Sequence, residues 1–187
     1  EACLQLMVGM PGQSFASVRD TVEQVLRLRP AIARIYPLLV IKGTPLETIY
    51  KRGAFEPLTL SEAVEQSAYV YSRLTQAGIK VVRVGLQADE ELCSEGNIVA
   101  GPFHPSFGEL VQSHLLYAEL KPQLQKLLRQ GADQIVIHCP RRLESKLRGL
   151  KNSNLRRWQQ LAGQVPVMIK NAPNTEDVTI SGVCDDE

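Results

Sequence analysis

The pattern of apolar and polar positions in the first half of the chain predicts strands that alternate with helices. The apolar runs with the length and composition of buried strands are residues 4–8, 34–41 and 79–86. Between the first two runs, Val18, Val22 and Val25 recur at the spacing of one helical face. A capping box at residues 59–62 starts a second helix, and Gly78 ends it. Because the strand runs are nearly continuous, this order predicts a parallel sheet covered by helices.

The pattern changes in the second half of the chain. Residues 88–108 are rich in glycine, proline and acidic side chains and lack periodicity, so we interpret them as a connection across a surface or a cleft. Beyond it we predict helices at 107–117, from Pro122 to Gly131, at 142–150 and at 153–162, with strands at 134–138, 165–169 and 178–180. We therefore predict a first domain over 1–110 and a small α/β appendage over 111–187.

Composition narrows the class of protein. The chain of 187 residues is 44% hydrophobic and 22% charged with a net charge of +1, which is typical of globular proteins and names no partner by charge. No apolar run approaches the roughly 18 residues of a membrane span, and we predict no membrane partner. The chain opens directly into a strand-like run without an initiating methionine, so we expect a fragment of a longer protein.

The four cysteines are scattered along the chain and form no zinc, CxxC or cluster motif. They are Cys3, Cys93, Cys139 and Cys184. We interpret them as reduced cysteines of a cytoplasmic protein, with two disulfides as the alternative.

Ligands of parallel α/β sheets bind at the carboxyl ends of the strands. Three loops follow predicted strands here and are therefore candidate binding loops. They are residues 9–14, 42–46 and 85–89.

Several phrases of the sequence, taken in order, resemble one family. They are QLMVGMPGQS at 5–14, RIYPLLVIKGTPL at 34–46, VRVGLQ at 82–87 and AGPFHPSFGELV at 100–111. Together they resemble bacterial radical S-adenosylmethionine (SAM) proteins related to the Elongator catalytic subunit, and more distantly oxygen-independent coproporphyrinogen III oxidase. Residues 150–161 resemble the C-terminal region of the bacterial group.

The resemblance implies a partial (β/α) barrel, of which residues 1–110 would be the C-terminal half. In the family, a CxxxCxxC loop holds a [4Fe–4S] cluster that cleaves SAM to a radical. This sequence lacks that motif, so we expect the cluster and SAM in the intact parent and neither cofactor in this chain alone. The missing N-terminal half would be its partner. The implied function is part of an iron–sulfur oxidoreductase that contributes to the SAM pocket and is inactive by itself.

The resemblance also assigns candidate cofactor-binding residues. The main chain of Gly9, Met10, Pro11 and Gly12 would approach the adenine and ribose of SAM, since glycine lacks a Cβ. The alternative is a tight strand-to-helix turn. The side chains assigned to the adenine are those of Ile35, Tyr36 and Leu38, with barrel core as the alternative.

Other polar residues have weaker assignments. Arg83, if it points inward, needs an anion such as a SAM carboxylate, a substrate carboxylate or Glu47; the alternative is an outward strand end. We predict that Thr44 caps a helix, with ligand contact as the alternative. His104 and His114 lack metal spacing, and we predict loop hydrogen bonds for them. Cys93 is a minor candidate for a radical-quenching thiol.

A basic segment, residues 141–157, supports an alternative function. Its basic residues, set against Glu144 alone, are Arg141, Arg142, Lys146, Arg148, Lys151, Arg156 and Arg157. Such a block can bind RNA phosphates, and Elongator relatives act on tRNA, so tRNA is a possible partner. A solvated helical face is the simpler interpretation, because Trp158 is the one aromatic residue nearby. A truncated parallel sheet exposes an edge, so we also predict that the chain self-associates.

Overall fold

The computed structural model describes residues 2–86, 96–173 and 175–183. Its strands are β1 (Cys3–Val8), β2 (Ile32–Pro37), β3 (Val40–Ile41), β4 (Lys80–Val84), β5 (Ile98–Ala100), β6 (Gln134–Cys139), β7 (Val167–Asn171) and β8 (Thr179–Val183). Its α-helices are α1 (Phe15–Leu28), α2 (Pro45–Lys51), α3 (Leu60–Gln76), α4 (Phe107–Arg129), α5 (Arg141–Arg148) and α6 (Ser153–Ala162). The chain folds into two compact units, Glu1–Val111 and Gln112–Glu187. Cys93, Cys184 and the end of the predicted loop 85–89 lie outside the described residues.

The first unit is built on a parallel sheet, as predicted. Its strand order is β1-β2-β4, and Ile35 in the central strand pairs with Leu6 and Val84 on either side. Helices α1 and α3 pack on one face through an apolar cluster. Its most deeply buried members are Val8, Val22, Ala33, Ile35, Val70 and Leu74.

Local chemistry fixes where helix α3 begins. The Glu62 carboxylate accepts hydrogen bonds from the Thr59 amide at 2.8 Å and the Thr59 hydroxyl at 2.7 Å. The Thr59 hydroxyl accepts in turn from the Glu62 amide at 3.3 Å. This reciprocal capping box, predicted from the sequence, satisfies amides that the first helical turn leaves free.

The apolar run 34–41 is not one strand, and that prediction was wrong. Strand β2 ends at Pro37, which has no amide hydrogen to continue the ladder, and the amide of Leu38 donates to the carbonyl of Val8 at 2.9 Å. Strand β3 then pairs antiparallel with β5 in a separate two-stranded sheet. Strand β5 lies in the segment whose composition indicates an irregular connection.

The two predicted helices at 107–117 and after Pro122 are a single helix, α4, with Pro122 inside it. The proline removes one main-chain hydrogen bond, which disfavours a helix interior. Apolar burial continues across it, however, since Tyr117, Leu120 and Leu124 are all buried. This continuous face stabilises the helix through the proline.

The second unit has its own sheet and core. In the order β7-β6-β8, strand β6 is parallel to β7 and antiparallel to β8. The fully buried indole of Trp158 stacks on Tyr117 with ring centroids 5.7 Å apart. Buried Asn154 donates to the carbonyl of Ser113 at 2.9 Å and to that of Leu147 at 3.1 Å, which ties α6 to α4 and α5.

Across the described ranges, the structure contains no helix long and apolar enough to cross a membrane.

Candidate cofactor wall and basic segment

The turn after β1 is held together by a glutamine side chain. The Gln13 side-chain oxygen accepts from the amides of Gly9 at 2.8 Å and Met10 at 3.1 Å, while its amide group donates to the carbonyl of Met7 at 3.2 Å. Gly9 and Gly12 have φ angles of 87° and 73°, which favour glycine. The sequence does not reveal this role of Gln13, because a side chain that folds back on its own turn leaves no periodic signal.

Glycines at the carboxyl edge of the first sheet make close contacts within the protein. A Cβ on Gly9 would lie 3.0 Å from Leu58 Cδ1, and one on Gly85 would lie 2.8 Å from Phe107 Cβ. A Cβ on Gly12 would meet nothing within 4 Å. Packing and turn geometry thus account for Gly9, as in the tight-turn alternative. Exposed Gly12 is the glycine of this turn that leaves room for a ligand.

The three residues assigned to the adenine lie in different surroundings. Ile35 is fully buried in the core under α1 and α3, as in the core alternative. Tyr36 alternates to the opposite face of β2 and is half-buried. Leu38 is half-buried beyond the end of the strand, where its amide donates to the carbonyl of Val8.

Arg83 is exposed on β4, and Glu47 is not its partner. Glu47 pairs with Lys51 at 2.8 Å and accepts from the Gly43 amide at 2.7 Å. The hydrogen bond from Lys51 and then that from Gly43 hold the pKa of Glu47 below its usual value. Its charge is thus satisfied at the start of α2.

The remaining polar candidates have local structural roles. Thr44 caps α2, as predicted: its hydroxyl accepts from the Glu47 amide at 3.4 Å and donates to the carbonyl of Ile41 at 2.6 Å. His104 Nδ1 accepts from the Ser106 amide at 3.1 Å, which confirms the predicted hydrogen bond within the loop.

The cysteines that the structure describes do not fit an iron–sulfur cluster. Cys3 is exposed in the first unit, whereas Cys139 is buried in the second. Burial raises the pKa of the Cys139 thiol, which disfavours the thiolate that a cluster requires. Among the described residues, no group of three or more His, Cys, Asp or Glu side chains is placed to hold a metal ion.

Four basic side chains of this segment contact other residues of the second unit. Arg142 donates to the carbonyl of Glu176 at 2.7 Å, and Arg148 pairs with Glu144 at 2.9 Å. Lys146 donates to Gln112, and the Arg157 guanidinium lies 3.6 Å from the centroid of the Tyr117 ring.

The other three basic residues, Arg141, Lys151 and Arg156, are exposed on the helices or between them. None forms an ion pair with another described residue. Trp158 is fully buried, so it is unavailable to stack on a base. Any nucleic acid bound here would be held through its phosphates.

Comparison with known proteins finds a family match in the middle of the chain. Residues 30–117 match the family described as the Radical_SAM C-terminal domain. Two proteins named tRNA uridine(34) acetyltransferase are similar to this chain over 113 residues. The one from Methanocaldococcus infernus is 31% identical and the one from Methanocaldococcus jannaschii is 29% identical. That alignment covers 59% of this chain and 20% of each relative.

A solved structure is also similar to this chain. The archaeal Methanocaldococcus infernus Elp3 with an N-terminal deletion matches with a TM-score of 0.52 and 31% identity, over 65% of this chain and 26% of that one. Residues 30–117 thus match the Radical_SAM C-terminal domain, and the predicted resemblance to the Elongator-related radical SAM proteins is confirmed. The chain spans about a fifth to a quarter of the length of these relatives.

Proposed function

We propose that this chain is the C-terminal portion of a cytoplasmic radical SAM iron–sulfur oxidoreductase and forms part of its SAM pocket. The match of residues 30–117 to the Radical_SAM C-terminal domain carries the proposal, and the structural likeness to Elp3 supports it. In this proposal, β1, β2 and β4 are the second half of a partial (β/α) barrel. Their helix-free face lines the interior, and the second unit is an appendage.

The proposed cofactor wall lies at the carboxyl ends of these strands, where (β/α) barrels bind their ligands. It consists of Gly12, which has open space beside it, exposed Met10, and half-buried Tyr36 and Leu38. The bound cofactors supply the radical chemistry, while these residues orient the adenosyl group and exclude water. Since the sequence has no CxxxCxxC motif, we propose that the chain alone does not cleave SAM.

The test compares the full-length gene product with this chain alone. After reconstitution with iron and sulfide, the full-length protein should form 5′-deoxyadenosine from SAM under reducing conditions, and the isolated chain should form none. Tyr36→Ala in the full-length protein should weaken SAM binding by about threefold to tenfold through loss of ring contact with the adenine. Tyr50→Ala on α2 is the matched control and should leave binding unchanged. Full-length protein that neither retains iron nor binds SAM would contradict the proposal.

A second candidate function is tRNA binding through the basic segment. The exposed positions of Arg141, Lys151 and Arg156 favour it, and the acetyltransferase relatives are named for tRNA. Each phosphate contact made by a basic side chain contributes a slope of about −0.7 to −0.9 to the dependence of log affinity on log salt. The three residues together therefore contribute a slope of about −2 to −3.

Charge reversal measures this contribution. The triple variant Arg141→Glu/Lys151→Glu/Arg156→Glu should lose most tRNA binding in fluorescence anisotropy and flatten the salt dependence. A control with three reversals elsewhere in the same unit, Lys126→Glu/Arg129→Glu/Lys170→Glu, should retain the slope. An equal effect of both triple variants would indicate nonspecific charge attraction and reject this function for the segment.

We also propose that the isolated chain self-associates. Strands β1 and β4 are the outer strands of the first sheet, and Met7 and Val82 on them are 39% and 45% exposed. Unpaired strand edges and exposed apolar side chains favour association between copies. Analytical ultracentrifugation should show concentration-dependent oligomers, whereas a single monomeric species at all concentrations would reject this proposal.

A further inference from the structure

The first sheet has one face covered by helices and one free of them. Along β1 and β2, the residues packed in the core include Leu6, Val8 and Ile35. Since successive side chains of a strand point to opposite faces, Gln5 and Arg34 lie on the helix-free face. The helices that pack on this sheet through the apolar cluster, α1 and α3, lie on the opposite face.

A register shift in β4 brings Arg83 to the same face. Val81 pairs with Ala33, but the next residue of β2, Arg34, pairs with Arg83. Val82 is the extra residue and is 45% exposed. Strict alternation from Val81 would turn Arg83 toward the helices. The bulge instead returns Val84 to the core and leaves Arg83 on the helix-free face.

The result is a polar row across all three strands. Gln5 pairs with Arg34, and Arg34 pairs with Arg83, so the three side chains occupy one level of the helix-free face. One level nearer the carboxyl edge, Met7 pairs with Tyr36 on the same face. Neighbouring strands lie about 4.8 Å apart, which brings both guanidinium groups within reach of one ligand.

The charges of this row have no partner in the part of the first unit that the structure describes. Neither Arg34 nor Arg83 forms an ion pair with a described residue. Like charges on directly opposed residues destabilise a sheet unless an anion lies between them. Bulges recur beside ligand sites because they re-aim side chains, and this bulge adds a second cation to the row.

We propose that Gln5, Arg34 and Arg83 bind a phosphate group of a nucleotide ligand. Two guanidinium forks match the charge and planar geometry of a phosphate, and an amide adds a further donor. Met7, at the adjacent level, offers the base a thioether. A carboxylate carries one charge and SAM is itself cationic, so both fit the pair of arginines less well. The inference rests on the proposed function, because that function makes this face the interior of the barrel.

The test compares adenosine 5′-monophosphate with adenosine, which lacks only the phosphate, by isothermal titration of the intact 187-residue chain. The nucleotide should bind about tenfold more tightly, since charge-assisted hydrogen bonds to one phosphate are worth at least that ratio. Arg34→Gln/Arg83→Gln should abolish the difference, and Arg34→Gln alone should reduce it. Arg27→Gln, at an exposed position of α1, is the single-charge control and should retain the difference. Circular dichroism establishes that each variant is folded.

The alternatives give distinct results. Equal binding of nucleotide and nucleoside, or unchanged nucleotide binding by the double variant, would overturn the inference. The double variant in the full-length protein could instead lose affinity for SAM while the nucleotide still binds. The polar row would then bind the SAM carboxylate, and the inference would again be overturned. Formation of 5′-deoxyadenosine by the unmodified full-length protein tests the proposed function separately.

Discussion

The two units contain three-stranded sheets that differ in regularity. In the second unit, β6 pairs with β7 and β8 without a shift of register. In the first unit, the pairing of β2 with β4 is interrupted by the bulge at Val82. The regular sheet is packed around the buried indole of Trp158, whereas the irregular sheet carries Arg34 and Arg83 on its helix-free face.

This difference separates a stability role of the second sheet from the binding role that we propose for the first. In β6, successive side chains alternate between the two faces of the sheet, which assigns Ile135, Ile137 and Cys139 to one face. All three are buried in the core of the second unit. In the first unit alternation fails at one residue, and that failure exposes an arginine instead of burying it. Departures from a regular pattern are expected where a strand has a role besides packing.

The largest effect on stability is expected in the core of the second unit, which packs against the regular sheet. Trp158→Ala removes a fully buried indole that stacks on Tyr117, and should lower the free energy of unfolding by about 3–5 kcal/mol. Urea titration followed by circular dichroism measures the loss. Leu161→Ala is the matched control on the same helix, since Leu161 is 39% exposed, and should cost less than about 1 kcal/mol. Equal losses would show that the indole is not central to the core.

Much of this architecture could be predicted because it depends on local signals. Continuous apolar runs predicted the parallel sheet, and a reciprocal pair of side chains predicted the start of α3. Pro37 and Pro122 show where local sequence patterns fail to predict the structure. Pro37 ends a strand whose apolar run continues to Ile41, while Pro122 lies within a helix instead of starting one. The outcome depends on partners distant in sequence, which a local pattern does not contain.

The candidate site was less predictable than the fold. Motif resemblance identified the turn at residues 9–12 and the strand that carries Tyr36. It gave no sign that the Gln13 side chain accepts hydrogen bonds from the amides of the turn, or that Arg83 lies opposite Arg34 in the strand register. The bulge arises from the pairing of two strands that lie far apart in the sequence. An alternating polar pattern in β4 would have given a signal, but the sequence Lys-Val-Val-Arg-Val has none.

A smaller effect tests the bulge itself. Val84 packs against the apolar core, so Val84→Asp should destabilise the protein by about 2 kcal/mol through a partly buried, unpaired charge. Val82 is 45% exposed, so Val82→Asp should cost less than about 1 kcal/mol. Thermal unfolding compares the two substitutions, which are identical in chemistry and lie on the same strand. The opposite order of stability would mean that the register shift lies elsewhere in the strand.

The smallest effect concerns the capping box of α3, the helix that covers the irregular sheet. The hydroxyl of Thr59 and then its amide donate to Glu62 and hold the pKa of that carboxyl below its ordinary value of 4.5. A carboxylate with a lower pKa when folded adds stability above the ordinary value, and loses it as pH falls through the folded value. Urea titrations over this range should therefore show stability declining as the pH drops below about 4.5. Glu62→Gln keeps an acceptor for the Thr59 amide but cannot titrate, so its decline should be shallower. Thr59→Ala removes the hydroxyl donor and should also reduce the slope; a slope unchanged in both variants would assign the acid sensitivity to other carboxylates.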